Sequence, residues 1–185
     1  MLIGITGTDG AGKGAAVSYL VKQKGFKHYS ARALIEAELE KRGMESNRAN
    51  MRLVANELRA EHGNDYVVTY YLDKMKLEGV KDAVIESIRT LAEVKTLKEH
   101  RGLLLAIDAD QQLRYKRIKG RHSASDNVTL EEFIAHEKLE MNDPDPNGMQ
   151  KARVIKSADY TIMNNGSWAE LMEAIDNFLI LHNYG

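Results

Sequence analysis

Leu2-Ile3-Gly4-Ile5-Thr6-Gly7-Thr8-Asp9-Gly10-Ala11-Gly12-Lys13-Gly14 joins an apolar run to a glycine-rich turn, and Ala15-Ala16-Val17-Ser18-Tyr19-Leu20-Val21 continues it with a helical pattern. Strand, glycine loop and helix in that order form the context of a phosphate-binding loop. The glycines let the backbone curl until successive N–H groups point at one anion. The helix N-terminus adds the positive end of its dipole, and Lys13 a mobile point charge for β- and γ-phosphates. The residues expected around a bound nucleotide are therefore Gly7, Asp9, Gly10, Ala11, Gly12, Lys13, Gly14 and Ala15. The hydroxyl that usually follows the lysine is missing: Gly14 and then Ala15 stand there.

The chain around this loop has 185 residues and a net charge of −1, enough for one domain with a good core and too balanced for a general nucleic-acid or membrane field. With no cysteine, disulfides, thiol catalysis and cysteine metal sites are excluded, which fits a cytoplasmic protein. No signal-peptide pattern opens the sequence, and no apolar stretch approaches the ~20 residues of a membrane span. The six histidines have no metal-ligand spacing. Trp168 reads as a packing residue.

Outward from the loop, extended and helical patterns alternate, which predicts an α/β fold with a mainly parallel, five-stranded sheet. Strands are expected at about 2–6, 26–29, 82–86, 103–107 and 160–163, the very apolar 103–107 centrally. Helices are expected from the loop to Lys24 and at about 31–41, 47–62, 66–78, 91–100, 111–119, 130–141 and 168–182. Thr90 with Glu93, Thr129 with Glu132 and Ser167 with Glu170 read as capping boxes, and Asp65 as a cap for 66–78. Segment 142–148 holds both prolines and reads as a loop. The expected division is a core of 1–30, 80–120 and 150–185, a helical insertion over 31–79 that binds an acceptor, and a lid over 121–149.

Phosphoryl transfer is mostly positioning and charge neutralisation, so it needs a cradle, a metal-associated acid and several cations. Glu86 ends a buried strand, where an acid beside the loop holds Mg²⁺ directly or through water. Asp108 and Asp110 end the next strand and also suit helix capping. Arg89, three residues beyond Glu86, is placed to grip an acceptor phosphate bidentately. Arg48, Arg52 and Arg59 share one stripe of the 47–62 helix. Arg52 and Arg59 are the better phosphate candidates, against the alternative of a solvated face. Arg114, Arg117 and Arg121 share another face and read either as a closing lid or as a basic solvated helix.

With these residues placed, the chain resembles the P-loop nucleoside monophosphate kinases and dephospho-coenzyme A kinases, and most of all the archaeal-type nucleotide kinases related to the latter. The resemblance spans nearly the whole chain. It rests on the G-x-x-x-x-G-K-G loop, Tyr29-Ser30 before a helix, the R-x3-R-x6-R run from Arg48 to Arg59, and Val84-Ile85-Glu86-Ser87-Ile88-Arg89. Arg117-x3-Arg121 and Ala158 to Ile162 ahead of Asn164-Asn165-Gly166 complete it. It implies ATP and Mg²⁺ as cofactors and a small-molecule nucleotide as acceptor. It also implies Lys13, Arg89, Arg117 and Arg121 around the phosphates, Ser30 on the acceptor side, and Asn164, Asn165 and Gly166 beside the donor base. Adenylate-type kinases place an aspartate where this chain has Ala33 and an arginine where it has Glu36. Dephospho-coenzyme A kinases carry a catalytic aspartate after the second strand, and residues 28–32 contain no acid. The reading is therefore a kinase of nucleoside or deoxynucleoside monophosphates. A dephospho-coenzyme A kinase and a catalytically degenerate nucleotide-binding regulator are the alternatives.

Overall fold

A computed structural model describes residues 1–120 and 128–184; Arg121, expected in the lid, lies outside them. The first half of the chain runs β1 (Leu2–Gly7), α1 (Lys13–Lys24), β2 (Lys27–Ser30), α2 (Ala31–Lys41), α3 (Arg48–His62), α4 (Tyr66–Glu78) and β3 (Ala83–Glu86). It continues through α5 (Leu91–Glu99), β4 (Leu103–Asp108), α6 (Gln111–Lys119), α7 (Leu130–Met141), α8 (Lys151–Lys156), β5 (Tyr160–Met163) and α9 (Trp168–Leu181). The five strands form one sheet in the order β2-β3-β1-β4-β5, and every pairing is parallel. The strand that leads into the glycine loop is the middle one. The apolar run 103–107 is interior rather than central, between β1 and β5.

Alternation along the strands builds two cores, making three α/β/α layers. Ile3, Ile5, Val84, Leu105, Ile107 and Ile162 face α1 and α9 through Leu20, Ile175 and Phe178. On the other face Leu2, Ala83, Ile85 and Leu104 pack with Val68 of α4, Leu97 of α5 and Val154 of α8. A third cluster, Ile35 and Leu39 with Val54, Ala55 and Leu58, holds α2 against α3 beyond the sheet edge. No helix among the described residues is long and apolar enough to cross a membrane.

Helix ends follow local chemistry. All three capping boxes form, and Gly25 and Gly79 close α1 and α4 in left-handed conformation. Two readings need correction. The Asp65 side chain makes no capping bond to α4; its Oδ2 accepts from Thr96 Oγ1 at 2.7 Å, tying α4 to α5. Helix α8 interrupts what the sequence leaves as irregular chain after the prolines, because at six residues it is too short to show a period.

The glycines of the loop test this geometry. A Cβ on Gly7, at φ +133°, would lie 1.9 Å from the Ile107 carbonyl oxygen, and neither backbone can move without breaking the β1–β4 ladder. Gly14 has open space around it. In urea denaturation, Gly7→Ala is expected to lose about 3 kcal/mol or more, whereas Gly14→Ala gains about 0.5 kcal/mol from helix propensity.

Candidate active site

The C-terminal ends of β1, β3 and β2 stand level, since Ile5 pairs with Glu86 and Glu86 with Ser30. Strand order reverses around β1, the place where open α/β sheets bind ligands. A cleft of about 830 Å³ opens there. Its polar wall carries Asp9 and Lys13 from the loop, Ser30, Arg48, Arg52 and Arg59 from α3, and Glu86 with Arg89. Ile35, Met51, Ala55, Leu139 and Met149 give it an apolar side, and among the described residues no Phe, Tyr or Trp lines it.

The loop is pressed into shape from outside. A Cβ on Gly10 (φ +82°) would meet the Arg114 carbonyl oxygen at 2.5 Å, and one on Gly12 (φ +105°) would meet Asn164 Nδ2 at 2.4 Å. Asn164 is buried, and its Nδ2 donates to the Ala11 carbonyl at 2.7 Å. The Asn164 amide thus braces the back of the loop. Asn165 Oδ1 accepts from the Asp110 backbone N–H. Residues 164–166 do not line the cleft.

Lys13 Nζ donates to the Gly7 and Thr8 carbonyls at 3.1 and 2.7 Å and lies 3.7 Å from Asp9 Oδ1. Burial lowers its pKa to about 8, with Arg89 and Lys151 acting in the same direction, against Asp9 and Glu86. Burial alone would raise the Asp9 carboxyl, but Lys151, Lys13 and Arg89 hold it well below the usual carboxylate range. Glu86 is also lowered, first by its hydrogen bond with His28 Nε2 at 3.1 Å. Ser87, at φ +75°, follows Glu86, and the Ser87 and Ile88 N–H groups both donate to the Ile5 carbonyl. That sparsely populated backbone turns the chain so that Glu86 and Arg89 line the same cleft.

The arginines divide into distinct groups. The half-buried Arg89 guanidinium has no hydrogen bond or ion pair among the described residues. Arg59 is 4% exposed; its Nη1 donates to Asn56 Oδ1 and the Asn147 carbonyl, and its buried Nε has no hydrogen-bond partner among the described residues. Arg52 is held bidentately by Asp143, with Nε–Oδ2 at 2.7 Å and Nη2–Oδ1 at 2.6 Å. Arg48 Nη1 lies 3.3 Å from Glu140 Oε1. The α3 stripe is therefore a wall zipped to segment 140–147, not a solvated face. Arg114 is neither a lid cation nor solvated: it is buried and bonds the Ala109 and Asp9 carbonyls and Glu137. Arg117 Nη1 donates to the Asn164 carbonyl at 2.9 Å.

Other side chains of the sequence reading take local partners, Ser30 while also lining the cleft. Ser30 caps α2, its Oγ accepting from Ala33 N. Asp110 makes no side-chain cap, and Asp108 instead accepts from Thr8 Oγ1 at 2.5 Å and from Ala109 N. Trp168, read as a packing residue, is 64% exposed and makes an edge contact with Tyr19. Sequence reasoning missed Lys151 and the acids that pair the arginines. The spacing of Glu137, Glu140, Asp143 and Asp145 was the available signal, a second acidic row to match the basic one.

A family profile described as an AAA domain matches residues 3–143. The UPF0200 protein of Methanocaldococcus jannaschii is 32% identical over 189 residues, covering 99% of this chain and 92% of its own. That of Thermococcus kodakarensis is 30% identical over 189 residues, covering 97% and 98%. Among solved structures, TT1252 from Thermus thermophilus has a TM-score of 0.66 at 23% identity, covering 100% of this chain and 98% of that one. A shikimate kinase from Acinetobacter baumannii, in complex with shikimate, has a TM-score of 0.59 at 18% identity, covering 100% and 95%. The fold is that of the P-loop kinases.

The depressed Lys13 pKa carries a stability signature. Between about pH 8 and the ordinary lysine range the unfolded chain holds a proton on Lys13 that the folded chain has released. Burying the ammonium therefore opposes folding below pH 8, and that opposition is lost as pH rises toward 10. Compared with Lys13→Met, the wild-type protein should gain up to about 3 kcal/mol between pH 7 and pH 10 in chemical denaturation.

Proposed function

The chain belongs to the UPF0200 family, and we propose that it is an ATP-dependent phosphotransferase that moves the γ-phosphoryl group of ATP to a nucleoside or deoxynucleoside monophosphate. The observation that supports this most is Arg89: a half-buried cation without an ion pair among the described residues, on the same cleft as Lys13 and the glycine cradle. An unpaired cation beside an anion cradle is a site for a second phosphate.

The residues present fit the donor. Gly7, Gly10 and Gly12 hold positive φ, so the loop takes the curl a polyphosphate needs. Among the described residues Lys13 is held only by backbone carbonyls and a 3.7 Å contact with Asp9, and stands ready to exchange them for phosphate oxygens. The described residues include no group of three or more His, Cys, Asp or Glu that could hold a metal by themselves. Mg²⁺ would then be held by Glu86, water and the phosphates, as is usual for this ion. When bound, it neutralises phosphate charge. The missing hydroxyls at Gly14 and Ala15 leave that task to Glu86.

In the transfer, an oxygen of the acceptor phosphate attacks the γ-phosphorus, the bond from that phosphorus to the β-phosphate oxygen breaks, and ADP leaves with the electron pair. A phosphate acceptor is already ionised, so no general base is required. That agrees with Ala33 and with the lack of an acid in residues 28–32. Lys13 and Arg89 supply positive charge near the phosphates, and Arg59 adds to it from α3. The helices α2–α4 act as the acceptor arm; of the segment 121–149 read as a lid, residues 140–147 form a fixed wall against α3, and Arg121 is its candidate phosphate cation. Arg117, the candidate phosphate cation of α6, holds the Asn164 carbonyl, and Asn164 in turn braces the loop at Ala11, so both act on the phosphates through the loop; Asn165 and Gly166 are the candidates for the donor-base side.

An ADP-release assay over a panel of nucleoside and deoxynucleoside monophosphates, with dephospho-coenzyme A as a further member, tests the reading. Turnover with at least one monophosphate is expected. Lys13→Ala and Arg89→Met should each lower kcat/KM about a thousandfold, the scale of a lost transition-state cation. ATP binding without turnover on any acceptor would contradict it.

A further inference from the structure

Asp9 is an anion inside a cradle built for anions. Its Oδ1 lies 3.7 Å from Lys13 Nζ, and its Oδ2 lies 3.7 Å from Arg48 Nη1. Left to itself, an ionised carboxylate there would repel a polyphosphate and compete with it for Lys13. The structure supplies a third partner. Lys151, at the start of α8, is 1% exposed, and its Nζ lies 3.1 Å from Asp9 Oδ1 and 2.5 Å from Glu140 Oε2. A lysine is almost never buried this completely unless it is paired. This one is paired twice, to the phosphate loop and to α7.

We propose that Lys151 is a positioning residue that takes the Asp9 carboxylate away from Lys13 and so leaves Lys13 available to a nucleotide phosphate. This rests on the nucleotide-binding part of the reading above. Asp9 Oδ1 is closer to Lys151 than to Lys13 by the distances just given, so the buried lysine holds the stronger share of the carboxylate. Glu140 sets how much of the Lys151 charge remains for Asp9, and because it also meets Arg48 it links α7, α3 and α8 at the loop. The Asp9 backbone carbonyl is gripped in addition by Arg114, itself paired with Glu137 of α7. The charged groups acting on Lys13 are Asp9 from the loop, Glu86 and Arg89 from the end of β3, and Lys151 from α8. Arg48 and Glu140 act through their contacts with Asp9 and Lys151.

Two substitutions with opposite signs test this, read by the titration of the Lys13 ammonium in the ligand-free protein and by calorimetric affinity for ADP. Lys151→Met removes a like charge from Lys13 and abandons Asp9 to it. The Lys13 titration should move up by about one pH unit, and ADP binding at pH 7 should weaken roughly tenfold or more. Glu140→Gln strengthens the Lys151 field, so the titration should move down and ADP should bind more tightly. Adding Asp9→Asn to Lys151→Met should restore much of the lost affinity. A Lys151→Met protein that melts earlier but keeps the wild-type Lys13 titration and ADP affinity would overturn the proposal. If that variant fails to fold, Glu140→Gln decides alone: an unmoved or upward-moving titration overturns it. A wild-type protein that binds no ADP would sink the functional reading, while the ligand-free titrations would still judge Lys151.

Discussion

The ammonium group of Lys13, desolvated within the curl of residues 7–12, is the constraint that the rest of this structure answers to. It can be buried there only because glycines carry the backbone through positive φ at Gly7, Gly10 and Gly12 and turn the Gly7 and Thr8 carbonyls toward it. Burial, with the like charges of Arg89 and Lys151, outweighs the 3.7 Å approach of Asp9 and the field of Glu86, and its pKa falls to about 8. A site in that condition gains more from a polyphosphate than a solvated lysine would, because the desolvation has already occurred. The neighbouring elements hold the curl in place. Asn164 braces Ala11 from the β5–α9 turn, Arg114 grips the Asp9 carbonyl, and the parallel pairing of β1 with β3 and β4 fixes where the loop begins.

A second layer of organisation is electrostatic. From Arg48 to Arg59, α3 faces segment 140–147 with a basic stripe, and that segment answers with Glu140, Asp143, Asp145 and the Asn147 carbonyl. Asp143 is almost fully enclosed, so its bidentate bond with Arg52 is better protected from solvent than a surface pair. The effect is to fix the far wall of the cleft, including Met149, against α3. Positive charge is thereby sorted: some arginines build the wall, while Lys13 bonds backbone carbonyls and the Arg89 guanidinium has no hydrogen bond or ion pair among the described residues.

Much of this was legible in the sequence, for identifiable reasons. Strand runs, glycine stops and capping boxes act over a few residues, so β1, α2, α4, α6, α7 and β5 sit where the pattern puts them. The glycine loop and the strand ending in Glu86 meet at one sheet edge because parallel α/β topology brings strand ends together. What was hidden depends on partners far away in the chain. Arg52 and Asp143 are 91 residues apart, Lys151 and Asp9 are 142 apart, and a lone lysine after a proline loop reads as surface. Arg114 reads as a lid cation by spacing and becomes a buried strut only once Glu137 and the Asp9 carbonyl are seen beside it. The bond from the Asn164 amide to the Ala11 carbonyl, between residues 153 positions apart, has no local signal either.

The most direct measurement is the proton balance of nucleotide binding, obtained by titrating ADP calorimetrically in buffers of different ionisation enthalpy. If Lys13 is a desolvated ammonium that a phosphate restores to full charge, binding at pH 8 should take up about half a proton per site and less at pH 7. Binding at pH 8 with no proton uptake, or no binding at all, would contradict the account.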